Sequence, residues 1–320
     1  MPAVPDVVRA RATAAGPAGE RWLTELPRTL AALQESWGIT VGEPLPGGSA
    51  SYVVRARTAG GVPVVVKLAV PDPAFVRLVR ALEAAAGNGY VRLLAQDVDR
   101  GTVLLEALGP SLDVGGGPPE DQLRTLGAML RRAWQVRPPS EVALEGARDK
   151  AAELAELVAD LWERLGHPCP EAVVERALQY AARRSAAFAA ERCVLVHGDA
   201  GPPNALRVLR PRPGGEVGHV FVDPDGDLGD PAYDLGVALR GWCDELLAAD
   251  EPVELLGGWC RLLAGHGAAD RQAVWEWGFL ERVSTGLYAM SFGATDVGRQ
   301  YLDSAAVLAQ AWSSTHRAWA

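Results

Sequence analysis

The feature that most constrains this chain is a switch in hydrophobic periodicity. From Ile39 to Leu108 apolar residues come in short β-branched runs, Tyr52-Val53-Val54, Val62 to Ala69 and Val103-Leu104-Leu105-Glu106, divided by glycine and proline. After Gly109 they recur at helical spacing, near Leu123–Trp134, Arg148–Leu165 and Glu171–Ala190, and again from Tyr233 onward. The pattern predicts an α+β protein: a small antiparallel sheet within residues 1–108, then a mostly helical body over residues 109–320. One β island interrupts the helices, where Ala205 to Leu209 and Val217 to Val222 flank Pro211-Arg212-Pro213-Gly214-Gly215 and read as a hairpin. Two helices accompany the sheet. Trp22, Leu23, Leu26, Leu30, Leu33 and Trp37 mark an amphipathic one that Gly38 ends, and Phe75, Val76, Val79 and Leu82 mark another between Pro73 and Ala86.

With 320 residues, 48% of them hydrophobic, the chain can bury a substantial core. Met1-Pro2-Ala3-Val4-Pro5-Asp6 has neither the basic start nor the apolar stretch of a secretory leader, and no apolar run reaches membrane-spanning length. A soluble cytoplasmic protein is expected, with its four cysteines reduced. The five histidines lack zinc-site spacing. A net charge of −9 opposes nucleic-acid binding and suits a cationic or neutral small molecule as partner. Neither a nucleic acid nor a membrane is expected as a partner.

The β island carries the chemistry. Asp199 follows the apolar run Val194-Leu195-Val196 and precedes Pro202-Pro203, which stiffen its loop. Asn204 lies five residues on, and Asp223 ends the second strand of the hairpin. Taken singly, Gly198-Asp199 is a turn, Asn204 a cap and Asp223-Pro224-Asp225-Gly226 a reverse turn. Taken together they match what phosphoryl transfer requires: an acid that orients and deprotonates a hydroxyl, with an amide and a second acid converging on magnesium from one hairpin.

The sheet offers a second half-site. Gly47, Gly48 and Ser49 precede a strand and would let backbone amides approach a phosphate closely, although such a stretch is by itself an ordinary hairpin turn. Lys67 closes Val64-Val65-Val66, a cation on a buried strand that needs an acid or a phosphate unless it snorkels from a sheet edge. Glu83 is the only glutamate between Lys67 and Glu106, which makes it the natural partner, with a solvated helix face as the alternative. The segment Leu104 to Leu108, including Glu106 and Leu108, offers hinge backbone to a nucleotide base, or is a plain linker.

These residues resemble the aminoglycoside phosphotransferase family, small-molecule relatives of the protein kinases, over nearly the whole chain. Trp22-Leu23, Leu26-Pro27, Trp37, Gly42-Glu43-Pro44, Val91-Arg92-Leu93-Leu94 and Gly229-Asp230-Pro231-Ala232-Tyr233-Asp234 are similar to the branch of streptomycin 6-phosphotransferases and hydroxyurea phosphotransferases. The resemblance implies a bilobal protein-kinase-like fold and transfer of the γ-phosphoryl group of ATP, or of GTP, to a substrate hydroxyl. Asp199 would be the catalytic base, Asn204 and Asp223 the magnesium ligands, and Lys67 the contact to the α- and β-phosphates. Asp230 and Asp234 would brace the loops, and His197 would be structural. In relatives the helix acid lies about a turn before Glu83, and Gly201-Pro202-Pro203 replaces the commoner His-Pro-Gly style of loop.

Kinship makes an aminoglycoside the expected acceptor, and antibiotic resistance the expected role. Hydroxyurea or a metabolite alcohol is the alternative within the same chemistry, and a non-catalytic nucleotide-binding regulator the alternative outside it. Between Arg240 and Arg282 stand eight acids against four arginines. Asp244, Glu276 and Glu281 are candidates for an acidic wall that would attract ammonium or guanidinium groups, and Trp275 or Trp277 for stacking on them. Solvated helix faces and core tryptophans are the plain alternative.

Overall fold

The computed structural model describes residues 4–46, 48, 50–266 and 269–315. Its first part comprises helices α1 (Asp6–Ala14) and α2 (Gly16–Trp37), strands β1 (Ile39–Pro44), β2 (Ser51–Thr58) and β3 (Pro63–Ala69), helix α3 (Phe75–Ala85), and strands β4 (Leu93–Asp97) and β5 (Thr102–Glu106). The five strands form one sheet in the order β1-β2-β3-β5-β4, antiparallel at every pairing. Gly38 ends α2 in the left-handed conformation at φ 58°, where its N–H caps the Gln34 carbonyl.

The period-two alternation of β3 decides where its lysine points. Val64, Val66 and Leu68 bury against Val8 and Ala12 of α1 and Leu26, Leu30 and Leu33 of α2. Val65 and Ala69 take the other face, with Phe75, Val79 and Leu82 of α3 and Val103 and Leu105 of β5, in a core continuous with that of the helices beyond. Lys67 shares the second face, between Val53 and Val103 in register. Helix α1 escapes the periodicity analysis because its buried positions are only Val8 and Ala12, too weak a stripe to read.

The second part runs α4 (Leu112–Gly115), α5 (Pro119–Ala133), α6 (Ser140–Glu145), α7 (Lys150–Arg164), α8 (Glu171–Ala186), β6 (Val194–Leu195), β7 (Ala205–Arg207), β8 (His219–Phe221), β9 (Leu228–Gly229), α9 (Pro231–Leu239), α10 (Cys243–Ala248), α11 (Pro252–Ala264), α12 (Arg271–Ser291) and α13 (Thr295–Thr315). Helix α12 is buried on nearly every side, against α7, α8, α9, α11 and α13, and it carries the charged Glu276, Glu281 and Arg282 inward with its apolar residues. The expected hairpin is β7 with β8, paired Ala205 to Phe221. A second small pairing, β6 with β9, brings Leu195 opposite Leu228.

The hairpin also joins the two parts. Gly109 N donates to Arg207 O at 2.7 Å and Arg207 N to Pro110 O at 3.0 Å, so the linker runs alongside β7. On the other side Val91 N donates to Phe221 O at 2.8 Å and Phe221 N to Gly89 O at 2.9 Å. No helix among the described residues is long and apolar enough to cross a membrane.

Helices α9 and α12 approach closely through glycine. A Cβ on Gly236 would lie 2.7 Å from the Trp277 carbonyl carbon and 2.8 Å from Gly278 N, backbone atoms that cannot give way. Gly236→Ala is therefore expected to cost about 1–3 kcal/mol through overpacking. Chemical denaturation checks this, and an unchanged midpoint would mean that the two helices separate freely.

Candidate active site

The loop bearing Asp199 is held from below by one buried carboxylate. Asp234, with 0% exposure on α9, accepts from His197 N and Gly198 N, each at 2.9 Å, and from Trp134 Nε1 at 2.9 Å. Burial pushes its carboxyl up from the ordinary range against those hydrogen bonds. Tyr233 Oη donates to Gly198 O at 3.2 Å, and Gly198 adopts φ 85°, where a side chain would collide with the Asp225 carboxylate. Helix α9 itself is capped by Asp230, which accepts from Ala232 N at 2.9 Å and from Trp277 Nε1 at 3.0 Å.

His197 is a strut. Its Nδ1 accepts the Asp199 backbone N–H at 3.1 Å, so Nε2 must carry the proton and donate to Val222 O at 2.8 Å. The neutral ring thus spans from the loop to the strand leading into Asp223. Val222 N in turn donates to Asn204 O at 3.0 Å. Asn204 and Asp223 accordingly stand on either side of the Ala205–Phe221 pair at the base of the hairpin.

Asn204 Nδ2 donates to the Asp199 backbone oxygen at 2.8 Å and to Asp199 Oδ2 at 2.7 Å. With its nitrogen turned to Asp199, its amide oxygen is directed elsewhere. Asp223 adopts φ 58°, a left-handed conformation that costs a non-glycine residue roughly 1–2 kcal/mol, and its Oδ1 forms an ion pair with Lys67 Nζ. Lys67 is 8% exposed and Asp223 lies open at the cleft, so the pair links the sheet to the hairpin. The carboxyl of Asp225, exposed on the segment after Asp223, is pushed up to about 6, chiefly by desolvation, with the Asp199 and Asp227 charges adding to the rise. Asp199 itself keeps a side chain 46% exposed. Burial acts to raise its pKa, but the Arg240 charge and the hydrogen bonds from Asn204 and Arg240 outweigh it and hold the carboxyl below its ordinary value.

Several expected roles do not assemble. Glu83 is exposed and accepts from Gln96 Nε2 at 2.6 Å, so Lys67 pairs with Asp223 instead. Helix α3 is tied to the segment after Asp223 by Arg77, whose Nε lies 3.1 Å from Asp227 Oδ1. The Glu106 side chain is committed to Arg212 and to Arg92 N at 2.8 Å, which leaves only backbone at this strand end for a base. Leu108 packs half-buried against the core. Gly48 sits at φ 81°, while Gly47 and Ser49 lie outside the described residues.

The acidic wall is also absent in the form expected. Asp244 is exposed and accepts from Gln300. Glu276 is buried and paired with Arg183 at 3.1 Å and Arg184 at 2.7 Å. Trp275 is core, its Nε1 on Tyr180 Oη at 3.3 Å, and Trp277 is core against Tyr233. Glu281 does reach the site, through an arginine that sequence reasoning passed over. Arg240 bridges Asp199 and Glu281, and the one available signal was a lone cation ending the apolar run Leu235–Leu239.

A five-stranded antiparallel sheet followed by a helical body, joined by the Lys67–Asp223 ion pair at an inserted hairpin and with Asp199 bonded to Asn204, is the architecture of a phosphotransferase of the protein-kinase-like fold. The chain belongs to the phosphotransferase enzyme family, whose sequence profile matches residues 41–278. It is 27% identical over 302 residues to a streptomycin 6-kinase from Streptomyces glaucescens, covering 94% of this chain and 93% of that protein. A hydroxyurea phosphotransferase from Kitasatospora aureofaciens is 31% identical over 238 residues, 73% of this chain and 66% of that one. Similar solved structures include a choline/ethanolamine kinase family protein from Mesorhizobium loti, with TM-score 0.58, 20% identity and coverage of 91% and 94%. A spectinomycin phosphotransferase solved with ADP and spectinomycin has TM-score 0.56 at 13% identity, with coverage of 89% and 99%. Membership of this family implies nucleotide use.

The two ion-pair alternatives for Lys67 make separable predictions. Lys67→Ala is expected to weaken nucleotide binding about tenfold or more, as loss of a charge-assisted contact of about 1.5–3 kcal/mol implies. Glu83→Gln should leave it within about twofold, because Glu83 touches neither Lys67 nor the cleft. Titration with a fluorescent nucleotide analogue measures both, and a large effect of Glu83→Gln would reinstate it as the lysine's partner.

Proposed function

We propose that the protein is an ATP- and magnesium-dependent O-phosphotransferase that moves the γ-phosphoryl group to a hydroxyl of a small molecule, with a streptomycin-like aminoglycoside as the first candidate acceptor. The reading rests on one arrangement, Asp199 held beside Asn204 and Asp223 with Lys67 facing them across the cleft. Asp199, ionised and partly exposed, accepts the acceptor's hydroxyl proton as its oxygen bonds to the γ-phosphorus and the β–γ bridging bond breaks. Its rigid loop supplies orientation, the larger part of what such a reaction needs from a protein.

The donor set suits magnesium. Asn204 Oδ1 and the remaining Asp223 oxygen are hard ligands, and two protein groups suffice for a cation that also takes phosphate oxygens and water. Bound there, the ion would neutralise charge developing on the transferred phosphoryl group. Lys67 serves the phosphates next to Asp223. The linker at Leu104 to Leu108 contributes backbone to the base, of adenine in preference to guanine by kinship alone.

Kinship with the streptomycin 6-kinase over nearly both whole chains supports the aminoglycoside reading. A specific observation favours a second acceptor class: of the acids expected to form a wall, Glu281 is paired with Arg240, and Asp244 and Glu276 are engaged elsewhere, so none of these three stands free to select a polycation. A small neutral hydroxyl compound, hydroxyurea among them, fits that electrostatic setting. Antibiotic resistance is the physiological role that either acceptor suggests.

Asp199→Asn is expected to lower phosphate transfer by about 100- to 10,000-fold while leaving nucleotide affinity intact. Retained turnover would remove Asp199 from the role of base. Asp223→Ala should shift magnesium dependence to higher concentration, and an unshifted curve would count against it as a ligand. Mass spectrometry of streptomycin, hydroxyurea and a panel of metabolite alcohols, each incubated with enzyme, ATP and magnesium, identifies the acceptor by its gain of a phosphate. A panel with no phosphorylated member, alongside normal nucleotide binding, would favour a non-catalytic regulator.

A further inference from the structure

Arg240 stands at the C-terminal end of α9, outside every motif discussed above. Its guanidinium is shared by two carboxylates: Nη2 pairs with Asp199 Oδ1, and Nη1 lies 3.1 Å from Glu281 Oε2. The arginine side chain is 24% exposed and that of Glu281 only 4%, so the Arg240–Glu281 pair is recessed, unlike a mobile surface pair, while Asp199 keeps its open side. Its backbone is clamped as well. Arg282 Nη2 donates to Leu239 O at 2.7 Å and to Gly241 O at 3.3 Å, and Arg282 Nη1 contacts Ser304 Oγ and Cys243 Sγ, each at 3.1 Å. Adjacent residues of α12 thus grip both the guanidinium and the chain that carries it.

The consequence falls on Asp199. Its Oδ2 is held by Asn204 and its Oδ1 by Arg240, so the carboxylate plane is defined from both edges. A hydroxyl approaching Oδ1 meets an oxygen with a second lone pair still available, in an orientation it does not have to search for. We propose that Arg240, anchored on Glu281, is the positioning residue for Asp199 and holds its carboxylate in the orientation from which it receives the acceptor's proton. Arg240 touches the base and acts through it. The inference rests on the phosphotransfer reading above.

Removing Arg240 also orphans the buried Glu281 carboxylate, a purely structural injury that must be separated from loss of positioning. The test compares wild type, Arg240→Ala, Glu281→Gln, Arg240→Lys and the double variant Arg240→Ala/Glu281→Gln. Each is assayed for kcat and KM with the acceptor that wild type phosphorylates, for slow ATP hydrolysis without acceptor, for Mg–ATP-analogue affinity and for melting midpoint. Arg240→Ala should lower kcat about 100-fold, the scale of a misplaced catalytic group, with nucleotide affinity within about twofold. The double variant should regain the melting midpoint lost by Arg240→Ala but not its kcat, because the orphaned charge is gone while Asp199 remains unheld.

Recovery of kcat together with the midpoint would make Arg240 merely structural and overturn the proposal, as would an Arg240→Ala enzyme with kcat within about twofold of wild type. Where the alanine variants do not fold, Arg240→Lys decides. It keeps the charge but cannot bridge both carboxylates, and should lose at least about tenfold in kcat, whereas normal turnover overturns the assignment. A wild-type enzyme that neither transfers phosphate to any acceptor nor hydrolyses ATP would bring down the phosphotransfer reading itself. That failure is visible in the wild type, before any variant is compared.

Discussion

The buried Asp234 carboxylate is the constraint on which the rest of the site depends. A carboxylate fully removed from water is tolerated only when its oxygens are met by donors, and here they are met by two consecutive backbone N–H groups and an indole. The two amides belong to His197 and Gly198, so satisfying Asp234 fixes the backbone immediately before Asp199. Gly198 can follow because it alone accepts the left-handed conformation where Asp225 leaves no room for a side chain. From that point the loop is passed on by the neutral His197 ring to Val222, and by Val222 to Asn204.

Because the hairpin carries Asn204 at one strand and Asp223 at the other, whatever holds the hairpin holds both. It is gripped by the linker along β7, by residues 89–91 along β8 and by Arg212 on Glu106. The Lys67–Asp223 pair closes the connection from the centre of the sheet. Charge on one side of the cleft is therefore answered by charge on the other. In place of a lysine–glutamate pair within the sheet lobe, the order of α3 is tied through Arg77 to Asp227 of the segment following the hairpin.

Much of this was legible because it is local. The alternation Val64-Val65-Val66-Lys67 already says that the lysine lies on one face of a strand, and the glycine after Trp37 already says where a helix stops. Asn204 and Asp223 were readable together since the β7–β8 pairing returns the chain beside itself, with Asp199 only five residues before Asn204. The errors lie where sequence distance gives no guide to spatial distance. Glu83 was the only glutamate between Lys67 and Glu106 along the chain, yet it faces solvent and Gln96, while the lysine's partner in space lies 156 residues away. The acids between Arg240 and Arg282 looked like one surface because they were counted together, although α10, α11 and α12 turn them in different directions. Trp275 and Trp277 went to the core, as large aromatic groups on a central helix do.

The sequence by itself determined the order of sheet and helices, the hairpin within them and the family. These follow from periodicity and short spacing, which act within a few residues of chain. Tertiary structure alone decided that Lys67 meets Asp223, that Glu106 is spent on Arg212, and that Arg240 and Glu281 converge on Asp199. Those pairings depend on burial: once helices and sheet close, each charge must find a partner among whatever residues the packing brings near, and that selection is made in space.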